Sequence, residues 1–103
     1  MSDRPYVQAV RTADILPGGM RAVELDGREL VICNVDGTFY ALDNICLHRG
    51  GPLGEGYITG DKVECPWHGW QFEVKTGCAA MNPDMKVETY PVKVEGSDVL
   101  VAV

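Results

Sequence analysis

Apolar and polar residues alternate in short runs punctuated by turn dipeptides, and the 3.6-residue periodicity of an amphipathic helix is almost absent. Met20 to Leu25 and Arg28 to Val35 are strand-favouring runs joined by Asp26-Gly27, and Arg28–Val35 is joined to Thr38–Asp43 by Asp36-Gly37. Asp-Gly between two such runs is a strong hairpin signal, because both turn positions require the left-handed backbone region. A three-stranded meander is therefore predicted. Toward the C-terminus, Glu88 to Glu95 and Asp98 to Val103 flank Gly96-Ser97, with Tyr90, Val92 and Val94 alternating on one side and Val99, Val101 and Val103 on the other. These two strands are expected to close the same barrel-like sheet. Thr12 to Leu16, ahead of Pro17-Gly18-Gly19, has room for one helical turn with Thr12 as its cap.

Residues 44–85 have a different texture. Ten of the Gly and Pro residues fall between positions 49 and 83, and only Lys62–Glu64 and Gln71–Val74 read as brief strands. The expected organisation is one all-β domain over 1–103, a β-sandwich or barrel base formed by 1–43 and 86–103 with a loop-rich lobe, 44–85, inserted in it. So few apolar side chains lie in the lobe that something other than packing is expected to hold it.

Length and composition narrow the possibilities. A chain of 103 residues has room for one domain. Its 46% hydrophobic and 23% charged residues are those of a folded globular protein. Fifteen Asp and Glu against nine Lys and Arg leave a net charge of −6, so no positive field exists to attract nucleic acid or an anionic membrane surface. Met1 to Pro5 is followed by no apolar signal region, and no run approaches the roughly 18 apolar residues of a membrane span. The chain reads as cytoplasmic, where Cys33, Cys46, Cys65 and Cys78 are better suited to metal binding than to disulfides.

Both histidines of the chain lie beside a cysteine inside the lobe. Cys46-Leu47-His48 and Cys65-Pro66-Trp67-His68 are C-x-H and C-x-x-H pairs separated by 16 residues. A Cys₂His₂ zinc site usually pairs cysteine with cysteine and histidine with histidine, whereas here each segment offers one of each. A [2Fe–2S] cluster with two Cys on one iron and two His on the other needs each segment to reach both irons, which mixed pairs do directly. Cys33, within the apolar Leu30-Val31-Ile32-Cys33, is expected to be a buried small hydrophobe, and Cys78, after Thr76-Gly77, to be more exposed.

With the flanking Cys46-Leu-His-Arg-Gly-Gly-Pro-Leu-Gly and Cys65-Pro-Trp-His-Gly-Trp-Gln-Phe, the chain resembles the Rieske iron–sulfur family over essentially its whole length. The resemblance implies that Cys46 and Cys65 bind the inner iron and that His48 and His68 bind the outer one through Nδ1. It also implies a covering loop at Met81-Asn82-Pro83-Asp84. The disulfide of the family's high-potential branch is missing, since Gly51 and Trp67 stand at its positions, and Trp70 and Phe72 replace the hydroxyl donors of that branch. Fewer donors leave the added electron less stabilised, which places the chain toward the low end of the roughly −150 to +300 mV Rieske range, with the oxygenase-associated ferredoxins. Gly50, Gly51, Gly54, Gly56 and Gly69 are expected to let backbone N–H groups approach the sulfurs. Trp67 and Trp70 are expected to shield the site from water.

Charge explains the histidines. Two Fe³⁺, two sulfides, two thiolates and two neutral imidazoles sum to zero, so reduction makes a monoanion, where four thiolates would force an electron onto a dianion. With both histidines committed, no ligand set remains for a mononuclear catalytic iron, and no G-x-G-x-x-G dinucleotide fingerprint is present. The expected role is a one-electron carrier and not an enzyme, and the resemblance implies a flavin-dependent reductase as donor and a terminal oxygenase as acceptor. Arg49, Pro52, Leu53 and Trp67 flank the histidines and would form an apolar docking rim. The alternatives are the small subunit of a nitrite reductase and, in a different class, a zinc-stabilised interaction module.

Overall fold

In the computed structural model, which describes residues 5–44, 56–65, 70–80, 84 and 86–103, the regular secondary structure is almost entirely strand. The predicted meander forms as β2 (Met20–Leu25), β3 (Arg28–Val35) and β4 (Thr38–Asp43), with the expected boundaries. Both connecting dipeptides adopt positive φ at each residue: Asp26 50° and Gly27 77°, Asp36 51° and Gly37 91°. These are the primed turns whose twist matches that of the flanking strands.

The rest of the sheet architecture departs from a single barrel-like sheet. β1 (Tyr6–Arg11) pairs with β10 (Asp98–Ala102), which pairs with β9 (Val92–Glu95), giving a three-stranded antiparallel sheet. A second sheet has the order β2-β3-β4-β8, where β8 is Thr89–Tyr90. The run expected as one strand from Glu88 to Glu95 is thus two strands in different sheets, divided at Pro91, which has no N–H to donate to a ladder. The third sheet, β5-β6-β7, comprises Tyr57–Thr59, Lys62–Glu64 and Gln71–Glu73. The early helical turn is a 3₁₀ turn over Thr12–Asp14, and its N-cap is Arg11, not Thr12. The Asp14 carboxylate accepts a hydrogen bond from the Arg11 N–H at 2.9 Å, so the stabilising side chain lies inside the turn.

β3 organises the packing. Leu30, Val31, Ile32 and Cys33 are all fully buried, with no polar alternation, which is the pattern of a strand covered on both faces. Leu30 and Ile32 join Val10, Phe39, Ala41, Val99 and Val101 in a core between the first two sheets. Val31 and Cys33, on the opposite face, join Leu42, Val63, Cys65, Phe72, Val74, Ala79 and Val87. Apolar packing therefore ties Val63, Cys65, Phe72, Val74 and Ala79 to the second sheet, where the expectation for this lobe is that something other than packing holds it. Their contributions come one or two per short strand, too sparse to register as a periodic pattern.

Loops are fastened by single polar residues. Asn34 is buried at 4% exposure; its Nδ2 donates to the Ile15 carbonyl at 2.7 Å and its Oδ1 accepts from the Gly37 N–H at 2.8 Å. Its backbone exchanges bonds with Gly18 and Gly19, so one residue joins the Ile15–Gly19 loop to the β3–β4 turn.

Gly77 performs a similar task by having no side chain. It lies at φ +79°, its N–H donates to Glu73 O at 2.7 Å, and its carbonyl accepts from the Val87 N–H at 2.9 Å. A Cβ there would overlap the Val87 carbonyl oxygen. Gly77→Ala is expected to cost about 2–4 kcal/mol in urea unfolding, combining left-handed strain with the clash. Gly27→Ala, also at positive φ but with nothing near its Cβ, should cost only about 1 kcal/mol. Equal losses at the two positions would show that the Val87 contact does not matter.

Candidate metal centre

Of the four candidate ligands, the described residues include Cys65; Cys46, His48 and His68 lie outside them. Cys65 directly follows β6 and is 1% exposed, with its side chain in the core of Val63 and Phe72. Its N–H donates to the carbonyl of Trp70 at 2.6 Å, so the backbone of the C-x-x-H segment departs and returns at one closed rung. That rung continues the β6–β7 ladder, in which Val63 faces Phe72 and Glu64 faces Gln71. On the outer face, Gln71 Nε2 donates to Glu64 Oε1 at 3.2 Å. Trp70 is partly buried against the same core, its ring 6.4 Å from that of Phe72, which itself is fully buried. Phe72 at this position is a packing residue.

The C-x-H segment leaves from an equally fixed point. β4 ends at Asp43, whose N–H donates to Glu88 O at 2.9 Å and whose carboxylate accepts the Tyr90 hydroxyl at 2.7 Å. Arg28 Nη1 donates to that hydroxyl at 3.3 Å. Burial, then the bond to Asp43, pushes the Tyr90 hydroxyl above its ordinary pKa, while its bond to Tyr90 raises that of Arg28. Asn44, 1% exposed, donates through its backbone to Glu29 O at 3.0 Å and through Nδ2 to Glu29 Oε2 at 3.1 Å. Cys46 is two residues further along the chain.

The expected covering loop begins from a third fixed segment. Ala80 N–H donates to Gln71 O at 2.8 Å and Glu73 N–H to Cys78 O at 2.9 Å, so residues 78–80 lie along β7. Asp84 is exposed; Met81, Asn82 and Pro83 fall outside the described residues, as do Gly50, Gly51, Gly54, Gly69, Trp67 and the rim residues Arg49, Pro52 and Leu53. Gly56 is described and half-buried. Among the described residues no group of three or more His, Cys, Asp or Glu is placed to hold a metal, and Cys65 is the one candidate ligand that falls among them. A sulfur donor buried beside Val63 and Phe72 would suit a soft metal such as the iron of a cluster, which would neutralise the charge that burial otherwise penalises.

A model of the Rieske [2Fe-2S] domain family matches residues 6–91. The chain belongs to this family. Rieske domains carry a [2Fe–2S] cluster, and this member is a ferredoxin: an electron carrier and not itself a catalyst. It is 39% identical over 97 residues to the ferredoxin component of the naphthalene 1,2-dioxygenase system of Pseudomonas putida, covering 93% of each chain. A solved complex of reduced oxygenase and oxidized ferredoxin in carbazole 1,9a-dioxygenase contains a chain with TM-score 0.87 and 33% identity, over 97% of this chain and 94% of that one. A Mycobacterium tuberculosis protein described as an NADH-dependent nitrite reductase small subunit superposes with TM-score 0.92 at 23% identity, covering 99% of this chain and 97% of that one, which shows the shared fold alone. No helix of the described residues is long and apolar enough to cross a membrane.

Of the two remaining cysteines, Cys33 is fully buried and Cys78 half-buried; both are free thiols, so they form no disulfide with each other. Burial pushes the Cys33 thiol up to about 12 from 9.0. Above pH 9 the unfolded chain loses this proton while the folded chain keeps it, so the contribution to stability is intact below pH 9 and lost progressively up to pH 12. Between pH 8 and pH 10 the wild type should lose about 1.4 kcal/mol more than Cys33→Ala in parallel urea unfolding. Identical pH slopes for the two proteins would contradict the buried, neutral thiol.

Proposed function

We propose that Cys46, His48, Cys65 and His68 hold the cluster of this Rieske ferredoxin, and that the protein passes single electrons from a flavin-dependent reductase to a terminal oxygenase. The observation that carries the ligand assignment is the placement of Cys65, buried at the closed end of the β6–β7 hairpin, with the remainder of the C-x-x-H motif in the four residues between it and Trp70. The cluster supplies one-electron oxidation and reduction when bound. The chain's own part is to present two thiolates and two imidazoles from two anchored segments and to keep water from the inner thiolate, for which Phe72, Val63 and the partly buried Trp70 stand around Cys65.

The acceptor is proposed from relatives such as the ferredoxin components of naphthalene 1,2-dioxygenase and biphenyl 2,3-dioxygenase, and from a matching structure that is a complex of a ferredoxin with its oxygenase. These relatives favour the carrier over a nitrite reductase subunit. The donor is proposed on a different ground: no dinucleotide-binding fingerprint occurs in this chain, so its electrons must come from another protein. We further propose that 1–43 and 86–103 act as the base and 44–85 as the cluster-binding lobe, and that the protein works in the cytoplasm, where free thiols such as Cys33 and Cys78 persist.

Alanine at Cys46, His48, Cys65 or His68 should abolish the visible absorption and the reduced-state electron paramagnetic resonance (EPR) signal of the cluster, whereas Cys33→Ala and Cys78→Ala should keep both. Retention of an unchanged spectrum by His68→Ala, or its loss in Cys78→Ala, would refute the assignment. A colourless wild type with stoichiometric zinc would favour the interaction module instead.

A further inference from the structure

The rung next to Cys65 carries a polar contact that the ligand motif does not require. We propose that the Glu64–Gln71 side-chain pair is a positioning element, holding the end of the β6–β7 hairpin so that the Cys65 thiolate meets the cluster in one orientation; this rests on the assignment of Cys65 as a ligand. Glu64 lies between Tyr57 and Gln71 on the last rung that spans all three strands of the sheet, next to the Cys65–Trp70 rung. Side chains alternate across a strand, so Val63 and Cys65 point into the core and Glu64 points to the opposite, half-exposed face. There its carboxylate accepts the Gln71 amide at 3.2 Å, a directional contact at the long end of the N–H···O range.

The two faces of the hairpin end are thus held by different means. On the inner face, Phe72 and Val63 pack against the second sheet. Apolar packing resists separation but is non-directional, and it permits small changes of twist at the end of a three-residue strand. The Glu64–Gln71 bond is directional, and it acts one residue before Cys65 and one after Trp70. Gln71 is itself fixed on its other side, where its carbonyl accepts the Ala80 N–H at 2.8 Å. A change in the Glu64–Gln71 distance therefore moves Cys65 relative to the rest of the sheet.

Two variants separate positioning from charge and from simple stability. Gln71→Leu removes the donor without altering any charge. The exchange Glu64→Gln with Gln71→Glu restores a carboxylate–amide bond with donor and acceptor reversed, at constant net charge. Loss of iron to a ferrous chelator, followed by visible absorbance, and the EPR g values of the dithionite-reduced protein are the measurements. Gln71→Leu is expected to lose iron about ten-fold faster and to shift the g values, and the exchange to return the rate to within two-fold of wild type with wild-type g values. A merely stabilising contact would change the rate and leave the g values in place, which would overturn the proposal, as would an exchange variant no better than Gln71→Leu. Should Gln71→Leu assemble no cluster, the exchange variant decides: wild-type g values support positioning, and absence of the cluster refutes it. Cys65→Ala distinguishes the underlying reading, because a retained wild-type signal there refutes the ligand, whereas a lost signal beside a wild-type Gln71→Leu refutes the positioning alone.

Discussion

Burial of β3 on both faces is the constraint from which the arrangement of the site follows. A strand with Leu30, Val31, Ile32 and Cys33 all removed from water must have a packing layer on each side. One layer is the β1-β10-β9 sheet, joined to β3 through Leu30 and Ile32. The other is the β5-β6-β7 sheet, joined through Val31 and Cys33 to Val63, Phe72 and Cys65. Cys65 is thereby placed in a core whose opposite wall belongs to the central sheet. The position of the candidate ligand is set by the same packing that determines the order of the layers.

A consequence concerns how loss of the metal propagates. Cys65, the candidate ligand among the described residues, belongs to the core around Val31 and Leu42 and not to the core around Val99 and Val101. Metal binding adds its free energy to the elements that supply the donors, so a cluster held by Cys65 would strengthen the second core, while the first stands on apolar burial. The fastenings at Asn44, Asp43 and Gly77 lie at the junction between the central sheet and the segments that bracket the site. They limit how far those segments can move when the second core is weakened.

Legibility in the sequence followed the range of each interaction. The meander was readable to the residue because Asp26-Gly27 and Asp36-Gly37 encode their turns locally. β1 was missed because a bulge places Gln8 opposite Leu100 and Val10 opposite Val99, leaving Ala9 extra, so Val7 and Val10 lie three apart instead of two. The strand expected over Glu88–Glu95 had the right alternation, but the missing N–H at Pro91 marks where the chain changes sheet. The packing of β5-β6-β7 was not readable, since residues such as Val63, Phe72 and Ala79 form an apolar face only after folding.

The site divided along the same line. A cysteine and a histidine must stand within reach of adjacent irons, a covalent requirement that fixes sequence spacing, and C-x-H with C-x-x-H therefore announced the chemistry. The groups that hold those segments face no such restriction. Glu29 reaches Asn44 across 15 positions, Asp43 reaches Tyr90 across 47, and Glu64 reaches Gln71 across seven, each pair brought together by strand register. Register is a property of the whole sheet, because a slip of one residue exchanges the two faces of a strand and takes every side chain away from its partner. Donor identity can thus be local while donor placement is collective, as it is for Cys65, whose position follows from the two-sided burial of β3.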